Sequence, residues 1–238
     1  MNRILLHVLV GAVMVSTSCA PADETRTEQM PAGSAGGARV QHVSASAARI
    51  VFLGDSLTAG YGLAKEESVP ALIQERLRTS GHTYEVVNAG VSGDTSAGGL
   101  SRLDWSLEGD VEILVIELGA NDGLRGLPVA SLKRNLAAII AAAGTAGIKV
   151  ILTGMEAPPN FGPAYTSEFR QVYRELAREH TVTFVPFYLD GVAGVPSLNI
   201  ADGMHPNAEG SRIIASRIWA ALEPLLPRPR VVQENTTR

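Results

Sequence analysis

The sequence predicts an α/β fold, a three-layer α/β/α sandwich on a five-stranded parallel sheet, and three observations lead there. Short runs rich in Val and Ile alternate, along residues 49–226, with longer runs whose apolar positions recur every three to four residues. The short runs are apolar almost throughout, the pattern of strands covered on both faces. The chain has 238 residues, 45% of them hydrophobic, which is enough for one sizeable core. Right-handed crossovers between parallel strands then place the helices on the two faces of the sheet.

The strands are expected over 50–53, 84–88, 111–118, 148–153 and 182–186, each bounded by Gly, Asp or Pro. Helical spacing links Val69, Leu72, Ile73 and Leu77 after the first strand, and Leu100, Leu103 and Leu107 after the second. It continues through Val129, Leu132, Leu136, Ile139 and Ile140, then through Phe169, Val172, Tyr173 and Leu176. A last helix over 207–222 carries Ile213, Ile214, Ile218 and Leu222. Trp105 and Trp219 fall on helices, where packing is the expected role. Arg170, Arg174 and Arg178 recur at i,i+4 among Glu168, Glu175 and Glu179, the spacing of a solvated, salt-bridged face.

The ends read differently. Arg3 precedes an apolar run over 4–15, broken by His7 and followed by small polar residues, so 1–19 is expected to be a secretory signal peptide. Ser18-x-Ala20 fits cleavage after Ala20, whereas Cys19, the only cysteine, stands where a bacterial lipoprotein would be lipidated, although Ser16 occupies a position where that pattern favours Leu. Residues 20–48 have the Gly, Ala, Ser and Thr content of a flexible tether, and 227–238 read as a disordered tail. An exported, periplasmic protein is expected, with a membrane tether through lipidated Cys19. One cysteine supports neither an internal disulfide nor a thiolate metal cage. With 20 Lys and Arg against 24 Asp and Glu there is no basic surplus to hold nucleic acid.

In a parallel sheet, ligands bind beyond the carboxyl ends of the strands, so polar groups immediately after strands are the ones to inspect. Four segments qualify: Gly54-Asp55-Ser56-Leu57, Gly90-Val91-Ser92-Gly93-Asp94, Gly119-Ala120-Asn121-Asp122 and Asp202-Gly203-Met204-His205-Pro206. A serine hydroxyl attacks a carbonyl only when an imidazole takes its proton and a third group holds the imidazole's tautomer. Of five histidines, His7 falls in the signal, His42 in the tether, and His82 and His180 in turns entering strands, which leaves His205. Asp202, three residues earlier, can fold back onto its Nδ1.

Ser56 stands at the first strand-to-helix turn, where Gly54 is expected to let the backbone bend, and where a serine can also be a helix N-cap. Ser92 is the rival nucleophile, but Asp94 replaces the last Gly of the nucleophile-elbow pattern. The Gly93 N–H and the Asn121 amide are then candidate donors to an oxyanion.

These blocks, in this order and covering essentially all of 49–226, resemble the GDSL or SGNH hydrolase family. The resemblance implies Ser56 as nucleophile and His205, oriented by Asp202, as base. It also implies an oxyanion hole from Ser56 N–H, Gly93 N–H and the Asn121 amide, with neither metal nor organic cofactor. The sheet it implies is five-stranded and flavodoxin-like. Residues 54–63, 119–126 and Pro158-Pro159-Asn160-Phe161-Gly162 with Tyr165 resemble the bacterial thioesterase I, lysophospholipase and arylesterase branch, which implies as substrate a small-molecule acyl ester or thioester: acyl thioesters, short-chain and aryl esters, or lysophospholipids. The loops also admit two other readings: a metal-dependent phosphoesterase using Asp55, Asp94, Asp122 and Asp202, and a non-catalytic flavodoxin-like module holding phosphate or FMN at 54–60.

Overall fold

A computed structural model of the protein describes residues 47–228. The expected signal over 1–19, Cys19, nearly all of the 20–48 tether and the tail from 229 lie outside the described residues. The five strands are β1 (Arg49–Gly54), β2 (Glu85–Gly90), β3 (Val111–Glu117), β4 (Lys149–Thr153) and β5 (Thr183–Val185). All neighbours are parallel, in the order β2-β1-β3-β4-β5. This is the flavodoxin-like order expected, and the strand bounds differ from the expected ones by only one or two residues.

β1 and β3 sit in the middle of the sheet. Ile50, Val51, Phe52 and Leu53, with Ile113, Leu114, Val115 and Ile116, are wholly buried, because helices cover both faces. The helices are α1 (Ser56–Ala59), α2 (Val69–Thr79), α3 (Ser96–Ser101), α4 (Leu103–Ser106), α5 (Ala120–Leu124), α6 (Val129–Thr145), α7 (Gly162–Glu179) and α8 (Ala208–Leu222). α2 packs on α8, and α6 on α3 and α7. The apolar stripes named from the sequence are the buried ones: Ile73 and Leu77 on α2, Leu136 and Ile139 on α6, Phe169 and Leu176 on α7, Ile214 and Ile218 on α8.

Two expectations need correction. The helix through Leu100 and Leu107 is two short helices joined at Arg102, whose guanidinium is pinned by Asp94, the Ala89 carbonyl and the Gly54 carbonyl. Gly98 and Gly99 also make the first of them a poor autonomous helix. Trp219 is packed as expected, with the Arg76 guanidinium 4.8 Å above its ring, but Trp105 is 65% exposed. α4 is a single turn whose inward side is taken by Leu103, and a residue two positions on cannot share that side. The charged face of α7 is as expected: Arg170 pairs with Glu156, and Lys133 of α6 bridges Glu175 and Glu179.

Glycines end β1 and β2 for reasons of space. A Cβ on Gly90 would lie 2.3 Å from the Ala59 nitrogen and 2.8 Å from the Asp55 carbonyl oxygen, backbone atoms that cannot swing aside. The turn after β1 therefore settles directly against the end of β2. Gly90→Ala is expected to reduce the free energy of unfolding in urea by about 3 kcal/mol, the upper end for overpacking; an unchanged midpoint would show that this contact does not hold the turn.

Candidate active site

The carboxyl ends of β1, β2 and β3 bring three of the four polar segments together, and the loop before α8 supplies the fourth. Asp55, not Ser56, is the N-cap of α1: its Oδ1 accepts from Leu57 N–H at 3.0 Å. Ser56 opens that helix with its hydroxyl free to face the loop ends. Nor does Gly54 serve by bending, since its φ is not positive. What matters is the missing Cβ, which would lie 2.0 Å from Thr58 Oγ1 and 2.7 Å from Glu117 Oε2.

His205 arrives from a loop fixed at both sides. The buried Asn199 amide donates to the carbonyls of Val192 and Val195, Ile200 N–H donates to the His205 carbonyl, and Asn207 caps α8. Between Asp202 and His205 the chain turns through Gly203 at φ 70°, a left-handed conformation that glycine adopts without strain. Asp202 Oδ1 accepts from the N–H groups of Met204 and His205 at 2.9 and 3.0 Å, and its Oδ2 lies 2.6 Å from His205 Nδ1. The backbone donors of His205 and Met204, then the imidazole, hold the Asp202 carboxyl down at about 2. An ionised carboxylate only accepts, so Nδ1 carries hydrogen and Nε2 is left as an acceptor. Nε2 stands 2.8 Å from Ser56 Oγ. The Tyr61 ring packs on the imidazole at 4.7 Å between centroids, tilted by 43°.

Gly93 has φ 86°, which again calls for glycine. Its carbonyl accepts from Arg125, and its N–H has no partner among the described residues. The Asn121 amide donates one hydrogen to Asp55 Oδ2 at 3.1 Å, leaving the other unspent. Ser56, Gly93, Asn121 and His205 border one cavity of about 730 Å³, otherwise lined mainly by apolar side chains including Leu57, Leu124, Met155, Phe187 and Met204. Ser92 lies on its rim and has no hydrogen bond to His205.

The aspartates of the metal reading each have another engagement. Asp94 pairs with Arg102 at 2.7 Å, and Asp122 accepts from Ser96 N–H and Oγ–H. Asp55 serves α1 and Asn121, and Asp202 serves His205. Among the described residues no cluster of three His, Cys, Asp or Glu side chains is arranged to hold a metal ion. A phosphate at 54–60 would sit against the buried carboxyls of Asp55 and Glu117, the wrong charge for that ligand.

Residues 52–213 match the GDSL-like lipase/acylhydrolase family. The chain belongs to that family. Esterase TesA of Pseudomonas aeruginosa is 45% identical over 183 residues, covering 76% of this chain and 91% of TesA. A crystal structure of TesA superposes with a TM-score of 0.72, covering 75% of this chain and 99% of that one. Thioesterase 1/protease 1/lysophospholipase L1 of Escherichia coli K12 is 35% identical, over 77% of this chain and 87% of its own length. Membership makes the chain an acyl-ester hydrolase with the flavodoxin-like sheet described above.

One charged residue of the site was missed in the sequence. Glu117 ends β3 and reads there as part of an apolar run, yet it is wholly buried beside Asp55. A Glu at the carboxyl end of a central strand, directly after the apolar run 113–116, was the available signal. Burial raises the Asp55 carboxyl from 3.8 to about 6, and burial together with the neighbouring Asp55 holds Glu117 well above the usual carboxylate range. A carboxyl whose value rises on folding stabilises the native state fully below its unfolded value, and that contribution fades as pH climbs through the folded value. Between about pH 4 and 7 wild type should therefore lose stability relative to Asp55→Asn, as followed by urea unfolding at each pH. A difference that does not vary with pH would contradict the burial of that charge. Asp202 acts in the opposite sense, and its window, from 3.8 down to about 2, lies outside this range.

Proposed function

We propose that this esterase works by acyl transfer through Ser56, with His205 as general base and Asp202 as its orienter. The observation carrying this is the unbroken chain from Ser56 Oγ to His205 Nε2 at 2.8 Å and from His205 Nδ1 to Asp202 Oδ2 at 2.6 Å. As Ser56 Oγ bonds to the substrate carbonyl carbon, its proton moves to Nε2, and the resulting imidazolium is stabilised by the Asp202 carboxylate. The carbonyl oxygen gains negative charge among the Ser56 and Gly93 N–H groups and the free Asn121 amide hydrogen. His205 then returns the proton to the departing alkoxide or thiolate. Water repeats the sequence on the acyl-enzyme and frees the carboxylic acid.

The cavity suits acyl or aryl groups, being lined mainly by apolar side chains, with Ser92 and Glu156 as polar residues away from the reacting atoms. Thioesters and lysophospholipids extend the substrate class, supported by the E. coli relative's name. The enzyme is exported to the periplasm and held at a membrane through lipidated Cys19, a reading supported by the sequence of residues 1–48.

Ser56→Ala should lower kcat on p-nitrophenyl esters on the order of a millionfold, and His205→Ala comparably. Asp202→Asn should cost less, about ten-thousandfold, since a base remains in place. Ser92→Ala should keep most of the activity; its loss, with Ser56→Ala active, would reassign the nucleophile. In membrane fractionation, Cys19→Ser should move the enzyme into the soluble fraction, and an unchanged distribution would rule out the lipid anchor.

A further inference from the structure

Beneath Ser56 lie two carboxyls that the acyl-transfer chemistry leaves unused. Asp55 follows the end of β1 and Glu117 ends β3, where it pairs in register with Gly54, and both side chains are wholly buried. Glu117 Oε2 accepts from Thr58 Oγ1 at 2.8 Å and from Asp55 N–H at 3.3 Å. Its Oε1 accepts from no donor among the described residues. Asp55 is already occupied on both oxygens, by Leu57 N–H and by the Asn121 amide.

The surroundings supply no counter-charge. Among the described residues neither carboxyl takes part in a salt bridge; the guanidinium of Arg102 is committed to Asp94 and to the Gly54 and Ala89 carbonyls. The other titratable groups facing the pair are the phenols of Tyr173 and Tyr188 and the imidazole of His205. Tyr173 is spent on the Leu118 carbonyl. Two carboxylates side by side, sealed from bulk solvent and with no cation against them, cannot both be ionised, and such a pair holds one proton between them. The donors decide where it sits. Asp55 receives one hydrogen on each oxygen, from Leu57 N–H and from the Asn121 amide, whereas both donors to Glu117 meet the same oxygen, which favours the charged form on Asp55. Glu117 has an oxygen that receives none, as an O–H would leave it. Glu117 meets Asp55 directly, its Oε2 taking the Asp55 N–H, so the bare Oε1 is the oxygen left to carry the proton.

We propose that Glu117 is a neutral carboxylic acid whose O–H donates to Asp55, and that the Asp55 carboxylate so held aims the Asn121 amide at the oxyanion. Both are positioning residues, acting through Asn121 and never touching substrate. The missing Cβ of Gly54 is what admits the Glu117 carboxyl beneath the nucleophile turn.

This rests on Asn121 as an oxyanion donor, so Asn121→Ala is measured first: it should lower kcat about 10² to 10³-fold with KM little changed. No loss there would overturn the oxyanion assignment itself, and this inference with it. Asp55→Asn, which leaves one acceptor where Leu57 N–H and the Asn121 amide need two, should lower kcat about 10²-fold, and in the Asn121→Ala background should cost almost nothing more. Multiplicative losses in the double variant would overturn the positioning role while leaving the oxyanion hole intact. Glu117→Gln, whose amide donates as the acid does, should keep kcat close to wild type, whereas Glu117→Leu should fall as far as Asp55→Asn. A charged role for Glu117 would bring the Gln and Leu variants down together. Should the Leu variant not fold, infrared spectra at neutral pH decide: wild type should show a protonated-carboxyl C=O band absent from Glu117→Gln, and its absence from wild type would refute the neutral acid.

Discussion

A serine hydroxyl gives up its proton only as fast as a neighbouring base can receive it, and here the imidazole that meets Ser56 lies 149 residues away in sequence. Holding Ser56 Oγ 2.8 Å from His205 Nε2 is therefore a demand on the whole sheet, not on a local turn. The parallel order β2-β1-β3 answers it by collecting the loops after three strands at one edge. The loop before α8 is then drawn in by Asn199 and Asn207, so that the imidazole comes down on the hydroxyl. The glycines at the ends of β1 and β2 belong to the same demand, because a methyl at either would push the nucleophile turn outward.

Four aspartates follow strands, and their environments separate them. Asp202 is exposed and receives two backbone N–H groups, which keeps it ionised and able to fix the tautomer of His205. Asp55 is sealed under the nucleophile, where desolvation works against its charge. Asp122 and Asp94 fasten α3 and Arg102, and so hold the segment carrying Gly93. The same side chain thus orients a base, caps a helix beneath the nucleophile, or ties one segment to another, according to which donors meet it and how much water reaches it.

The periodicity of the apolar residues made the sheet, its parallel sense and the long helices legible, because burial on both faces leaves a nearly continuous apolar run. The meeting of Ser56, His205 and Asp202 was legible for a different reason: few histidines compete, and a Gly turn three residues long constrains Asp202. The break at Arg102 was hidden, since three leucines at helical spacing read the same whether or not a guanidinium interrupts them. Glu117 was hidden by its strand. Which residue caps α1 was also hidden, because Asp55 and Ser56 are both good caps and only the placement of His205 separates them.

A reactive alkyl phosphonate ester bonds only to a hydroxyl that an adjacent base has activated, and leaves a permanent mass tag on it. Incubating the enzyme with p-nitrophenyl ethylphosphonate, then mapping peptides by mass spectrometry, should find one tag per chain, on Ser56, formed in step with loss of activity. A tag on Ser92, or full inactivation with Ser56 unmodified, would contradict the joining of these loops into one proton-transfer path.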